Sequence, residues 1–114
     1  VDAAVEVMEA EWMSEGAVVP ISRIEDIPRS EVSISGVVEV LWEPRHPSIS
    51  QVGLIADESG RTKFTSWVRS DAPIVEEGDE VVLRDVAKNW YERRCSVALT
   101  GWSEIVFDER GQWW

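Results

Sequence analysis

Apolar and polar residues alternate along most of the chain after residue 30, which is the period of a strand with one buried face. In residues 31–42, EVSISGVVEVLW, the apolar side chains fall on one face. These are Val32, Ile34, Val38, Val40 and Trp42. The same reasoning predicts four more strands, at 49–56, within 58–70, at 80–91 and at 95–107.

The first 30 residues have a different period. Ala4, Val5, Met8 and Trp12 recur at helical intervals, which predicts a short acidic amphipathic helix over 3–14 with Asp2 as N-cap and Gly16 as its stop. We expect this helix to cover an open end of its own core rather than to bind a partner. Ile24 and Ile27 then serve as apolar anchors before Pro28 ends any helical turn.

Gly36, in the middle of the first strand, predicts a bulge or a sharp bend where the sheet curls. The DESG tetrapeptide at 57–60 predicts a tight hairpin turn in which Gly60 adopts a positive φ, and a second turn is expected near Glu92 and Arg93. Five short strands with a longer connection between the third and fourth indicate a mainly β protein, a small closed Greek-key barrel.

The third strand carries the most informative chemistry. Alternation places Arg61, Lys63, Thr65 and Trp67 on one face, and it places Thr62, Phe64, Ser66 and Val68 on the other. A slip of one residue would instead bury Trp67 in the core, so both faces stay open at this point.

Charge is distributed unevenly along the 114 residues. Twenty-two acids and eleven bases give a net charge of -11, which is typical of a halophile's solvated surface but also of any strongly acidic protein. Residues 45–69 and 84–94 together hold eight bases and four acids, whereas the rest of the chain holds three bases and eighteen acids. An acidic protein with two basic windows can still meet a polyanion there.

Several residues are expected to be structural. Cys95 is interpreted as a small strand residue, and His46 as a loop residue rather than a catalytic base. Trp42, which follows the inward set, and Trp102, next to a glycine at a strand end, are interpreted as structural. Trp113 and Trp114 belong to the tail. One cysteine and one histidine provide no set of ligands for zinc, so no metal or cofactor is expected.

The segments RIEDIPRSEVSISGVVEV, VGLIADESGRTKFTSWV and EEGDEVVLRDV resemble the OB-fold domains of replication protein A-type single-stranded DNA-binding proteins, most closely the archaeal ones. The resemblance spans residues 21–107 and implies a five-stranded OB-fold barrel preceded by a lead-in over 1–20 and followed by a tail over 108–114. It also implies that DNA crosses the second and third strands between two loops. The strand-three aromatic matches Trp67, and the second aromatic is either Trp90 or Tyr91. This sequence is more acidic than typical members.

A non-enzymatic module that binds single-stranded DNA without strong sequence preference, in replication, repair or recombination, is therefore the leading hypothesis. An OB-fold used for protein contact and an RNA-binding domain are the alternatives. The predicted nucleic-acid-binding residues are Arg45, His46, Arg61, Lys63, Thr65, Trp67, Lys88, Trp90, Tyr91, Arg93 and Arg94.

No apolar run approaches the length of a membrane helix and no signal peptide is recognised, so a cytoplasmic, nucleoid-associated location is expected. A first residue other than Met suggests a piece of a longer protein. The expected partners are single-stranded DNA, sister OB-fold domains and other replication proteins, and the isolated domain is expected to be monomeric.

Overall fold

The computed structural model describes residues 17–107. A 3-10 helix at Ile21–Asp26 precedes six strands: β1 Glu31–Trp42, β2 Ile49–Asp57, β3 Gly60–Trp67, β4 Glu80–Tyr91, β5 Arg94–Leu99 and β6 Glu104–Phe107. A second 3-10 helix, Val68–Ser70, follows β3. The helix predicted at 3–14 and the tail at 108–114 lie outside the described residues.

The strands close into the predicted Greek-key barrel. β1, β2 and β3 form an antiparallel meander, β3 pairs in parallel with β5, β5 pairs with β4, and β4 returns to β1. β6 is an additional strand, antiparallel to β4. Closure leaves each of the five barrel strands with two neighbours, so short strands acquire a complete ladder of hydrogen bonds. This is the OB-fold topology.

The barrel interior is filled by aliphatic side chains and one aromatic ring. The largest fully buried side chains include Ile34, Ile55, Leu83 and Leu99, and Phe64 packs among them. Ile24 and Ile27 are buried in the same cluster, as predicted. The first 3-10 helix therefore covers one open end of the barrel.

Gly36 lies where β1 passes from one partner strand to another. Val37, the next residue, pairs with both Ala56 of β2 and Glu80 of β4. A Cβ atom on Gly36 would lie 2.3 Å from the backbone oxygen of Ala56. The glycine is thus needed for close approach, while the bulges of β1 lie on either side of it, between Val32 and Ile34 and between Val38 and Val40.

The β2–β3 turn differs from its prediction, because Gly60 does not adopt a positive φ. The Asp57 carboxylate closes the turn instead, accepting hydrogen bonds from the Ser59 N–H at 2.7 Å and the Gly60 N–H at 3.1 Å. The β4–β5 turn is where the sequence predicts it, and both Glu92 and Arg93 adopt positive φ there. Two successive residues of this kind match the twist of a tight hairpin.

The predicted single strand at 95–107 is wrong, because it divides into β5 and β6 at residues 100–103. The Ser103 hydroxyl holds this turn, donating to the backbone oxygen of Asp85 and accepting from the Thr100 N–H. Trp102 is at the tip with 85% of its surface exposed, so its interpretation as a structural residue is also wrong. No helix within residues 17–107 is long and apolar enough to span a membrane.

Candidate nucleic-acid interface

β3 separates a buried face from an outer face as its alternation predicts for residues 61–67. Val68, which is predicted on the same face as Phe64, lies after the strand in the second 3-10 helix and is 56% exposed, so its prediction is wrong. Thr62, Phe64 and Ser66 are buried toward the barrel, and the Thr62 hydroxyl donates to the backbone oxygen of Cys95 at 3.0 Å. Arg61, Lys63, Thr65 and Trp67 have the opposite orientation. Trp67 is half-buried and is not part of the core cluster, so the alternative with Trp67 in the core is excluded.

Thr65 belongs to a row of paired residues that crosses all five barrel strands. The row runs from Trp42 in β1 through Val52, Thr65 and Ala98 to Ala87 in β4. We call these five residues the cross-strand row. Neighbouring strands are about 4.8 Å apart, so the row spans roughly 19 Å.

The middle of the cross-strand row is covered although it faces outward. Val52, Thr65 and Ala98 are 8%, 9% and 4% exposed, yet Val52 and Ala98 are not part of the core cluster. Trp42, which pairs with Val52, and Trp67, two residues after Thr65, are large aromatic residues next to them on this face. Both tryptophans are themselves partly exposed.

Trp42 lies on this outer face, contrary to its interpretation as an inward residue. The bulge between Val38 and Val40 adds one residue to β1 and reverses the faces beyond it. Leu41 consequently packs against the core, whereas Trp42 is 45% exposed and pairs with Val52. A bulge of this kind leaves no clear signal in the sequence.

The loop between β1 and β2, residues 43–48, borders one end of this face. Its backbone is fixed because the Val68 N–H donates to the Ser48 carbonyl at 2.8 Å and the Ile49 N–H donates to the His46 carbonyl at 3.0 Å. The His46 Nδ1 atom accepts from the Ser48 N–H. A cavity of about 440 Å³ opens between this loop and the end of β3, lined by Pro47, Ser48, Trp67, Val68 and Arg69. Arg45 is exposed on the loop.

The β4–β5 hairpin places its two aromatic side chains on opposite faces. Tyr91 pairs with Arg94, is 75% exposed and shares the outer face with Ala87 of the cross-strand row. Trp90 pairs with Cys95, whose side chain faces the core, and is 54% exposed. Register therefore assigns Tyr91, rather than Trp90, to the face that carries Trp67.

Lys88 is placed away from the predicted group of cations. Its ammonium donates to the backbone oxygen of Ile24 at 3.2 Å and to that of Ile27, and it lies 6.0 Å from the centroid of the Trp90 ring. The ammonium thus satisfies carbonyl groups of the first 3-10 helix at the end of the barrel. Lys88 is on the core face of β4, opposite Val97.

The outer face keeps other cations. Lys63 is exposed and makes no ion pair within residues 17–107, whereas Arg61 lies 3.6 Å from the Glu39 carboxylate. Arg94 is exposed beside Tyr91, and Arg93 lies at the hairpin tip. The structure thus brings Arg61, Lys63, Thr65, Trp67, Tyr91 and Arg94 to one face, with Arg45, His46 and Arg93 in the loops around it.

Two titratable groups near this region have shifted pKa values. Burial raises the pKa of the Cys95 thiol, in agreement with a structural rather than a reactive cysteine. Burial opposes ionisation of Asp57, but hydrogen bonds from the Ser59 hydroxyl and from the Ile21, Ser59 and Gly60 N–H groups outweigh it. The pKa of Asp57 consequently lies below its ordinary value.

No protein-family model matches the chain, and no curated protein matches it. Among solved structures, the OB domain of MM0293 from Methanosarcina mazei is 37% identical, with a TM-score of 0.68, and the match covers 76% of this chain and 82% of that one. The chain belongs to the OB-domain family.

Two more distant structures share the fold of this OB domain. The OB domain of Ta0387 from Thermoplasma acidophilum is 17% identical, with a TM-score of 0.61 and coverage of 75% of this chain and 83% of that one. A replication protein A heterotrimer bound to single-stranded DNA contains a chain that is 16% identical, with a TM-score of 0.55. The match covers 92% of this chain and 78% of that one.

Proposed function

We propose that this OB domain is a non-enzymatic module that binds single-stranded DNA without strong sequence preference, in replication, repair or recombination. The observation that carries the proposal is the outer face of β3, where Trp67 and Lys63 flank Thr65 of the cross-strand row. Binding any single strand requires flat aromatic surfaces for bases and cations for phosphates, and this face offers both.

The aromatic residues supply the base contacts in this proposal. Trp67 lies on one side of the cross-strand row and Trp42 at one end, whereas Tyr91 lies four residues along β4 from Ala87, on the side of Arg61 and Lys63. Each stacked base contributes roughly 1–3 kcal/mol, and every base has a flat face. Three such positions explain affinity without sequence preference.

The cations supply the phosphate contacts. Lys63 and Arg61 precede Thr65 on β3, on the side away from Trp67, and Arg94 lies on the same outer face of β5. We therefore place the sugar-phosphate backbone along the Arg61–Lys63 side. The bases point toward Trp67 and Trp42 over β2 and β3, and toward Tyr91 where the strand passes the β4–β5 hairpin. Since phosphate contacts weaken with salt and stacking does not depend on charge, the aromatics carry more of the affinity at high salt.

The structural neighbours support this proposal by their fold and by their ligands. The replication protein A heterotrimer was solved with single-stranded DNA, and a murine protein with the same fold was solved with double-stranded DNA. We propose a cytoplasmic, nucleoid-associated monomer that works beside sister OB domains or other replication proteins.

A labelled thymidine oligonucleotide, followed by fluorescence anisotropy at low and at multimolar salt, tests the proposal. Trp67→Ala should weaken binding at least about fivefold, because one stacked base is lost. Trp102→Ala is the matched control, since it removes an exposed tryptophan outside the proposed face. No binding at either salt contradicts the proposal, and tighter binding of the matching uridine oligonucleotide would assign the face to RNA.

A further inference from the structure

A groove of about 580 Å³ lies where β1 changes partner strands, on a wall that shares no residue with the cross-strand row. Its apolar floor includes Val37, Ala56 and Val82. Its rim carries Glu39, Asp57, Glu58 and Glu80. We call this surface the acid-rimmed groove.

The apolar floor follows from strand register. Val81 and Leu83 of β4 are buried, so Val82 between them faces outward, where it pairs with Ser35 on one side and Val106 on the other. Val37 pairs with Ala56 on the same outer surface. Val37 and Val106 are exposed and Val82 is half-buried. Neighbouring valines that reach the surface of a sheet next to polar residues are typical of an interaction surface.

The charges of the groove have one sign. Each charged residue that lines it is a carboxylate, and the adjoining depression beside Val18 and Pro20 is also lined by Asp57 and Glu58 without a base. Arg61 reaches the rim from outside and lies 3.6 Å from Glu39. The groove therefore favours a ligand with positive charge around an apolar centre.

We propose that the acid-rimmed groove docks a basic segment of another protein, in which one or two large apolar side chains are flanked by Lys or Arg. Charge disfavours two other occupants. Residues 1–16 contain five acids and no base, and a second copy of the chain has a net charge of -11. Like charges brought together at such a rim are unfavourable.

The groove lies apart from Trp42, Thr65 and Trp67 of the proposed nucleic-acid face, because none of these residues lines it. The two surfaces adjoin at Arg61, which pairs with Ala56 and lies 3.6 Å from Glu39. A basic protein segment held in the groove would leave the two tryptophans free for single-stranded DNA. This inference does not depend on the proposed function, since a failure of DNA binding leaves the groove unchanged.

The experiment selects short random peptides displayed on phage against the full chain and measures the enriched peptides by anisotropy. We expect the enriched peptides to carry Lys and Arg around a Leu, Phe or Trp. Their affinity should fall as the salt concentration is raised from a low value to about 1 M. Glu58→Lys should weaken binding about fivefold or more, because it reverses an exposed rim charge at a turn. Glu76→Lys is the matched control, an equal charge change at an exposed residue outside the groove.

Val82→Asp is a second variant, and its thermal transition checks that it folds. It should also weaken binding of the peptides. The proposal is overturned if basic peptides are not enriched or if Glu58→Lys and Glu76→Lys behave alike. It is also overturned if binding appears only after removal of residues 108–114, which would make the tail the occupant. Competition by a thymidine oligonucleotide would place the peptides on the outer face of β3 and overturn it as well.

Discussion

Trp42 of β1 lies directly opposite Val52 of β2, so a tryptophan that is 45% exposed pairs with a buried valine that is outside the core cluster of the barrel. One extra residue in β1 produces this relationship, because the bulge after Val38 turns Trp42 from the inward face to the outer face. The outer face thereby gains a second tryptophan beside Trp67.

Trp42→Ala should weaken binding of a thymidine oligonucleotide by about fivefold or more, because a stacking surface is removed at one end of the cross-strand row. The loss should persist at multimolar salt, since stacking does not depend on phosphate charge. Anisotropy titration measures both quantities. Affinity equal to that of Trp102→Ala would show that Trp42 does not stack on a base.

Tyr91→Ala and Trp90→Ala should separate the two hairpin aromatics. Tyr91 shares a face with the cross-strand row, whereas Trp90 shares a face with Cys95 and lies near the Lys88 ammonium. We expect Tyr91→Ala to weaken oligonucleotide binding and Trp90→Ala to leave it within about twofold, a difference well below one stacked base. If Trp90→Ala weakened binding more than Tyr91→Ala did, the two faces of the β4–β5 hairpin would have to exchange positions when the oligonucleotide binds.

Lys63→Gln and Lys88→Gln remove equal charges with different expected results. Lys63→Gln should reduce the slope of log affinity against log salt by about 0.7, which is the effect of one phosphate contact on a single strand. Lys88→Gln should leave that slope unchanged and lower the free energy of unfolding by about 1–3 kcal/mol, because the carbonyls of Ile24 and Ile27 lose a charged donor. Salt-dependent titration and urea unfolding measure the two effects.

Asp57→Asn should destabilise the domain at neutral pH by about 1.5–3 kcal/mol, because a charged acceptor that joins the β2–β3 turn to the Ile21 N–H becomes neutral. The pKa of Asp57 is lowered in the folded state, so its carboxylate stabilises the fold above the ordinary Asp pKa near 3.8, and this stability is lost as pH falls through the folded pKa. Urea unfolding at neutral and at acid pH should show that the difference in unfolding free energy between Asp57→Asn and the parent becomes smaller as the pH falls. A deficit that does not change with pH would contradict this role.

The sequence predicts the barrel well because its signals are local. Alternation across 61–67 assigns the faces of β3, and the apolar positions of Ile24 and Ile27 indicate the cover of the barrel end. The turn at Glu92 and Arg93 is also where the sequence predicts it. Each of these features depends on a few neighbouring residues.

The wrong predictions depend on contacts that are distant in the chain. The bulge that moves Trp42 arises where β1 meets β2, and the turn that exposes Trp102 is held by Asp85 of β4. Lys88 is within a basic window of the sequence, yet register turns it toward the carbonyls of a helix more than 60 residues earlier. Strand register, which the sequence does not display, determines the positions of Trp42 and Lys88, and the contact of a turn with β4 determines that of Trp102.

The central claim is that the outer face of β3 binds single-stranded DNA. An NMR titration tests it most directly, in which the backbone and tryptophan indole chemical shifts of the labelled domain are recorded as a thymidine oligonucleotide is added. We predict that the largest changes fall on Lys63, Thr65 and Trp67, on the Trp42 indole and on Tyr91. Val82 of the acid-rimmed groove and Val106, its partner on β6, should remain unchanged. Changes confined to Val82 and Val106, or no saturable changes at low salt, would contradict the claim that the outer face of β3 binds single-stranded DNA.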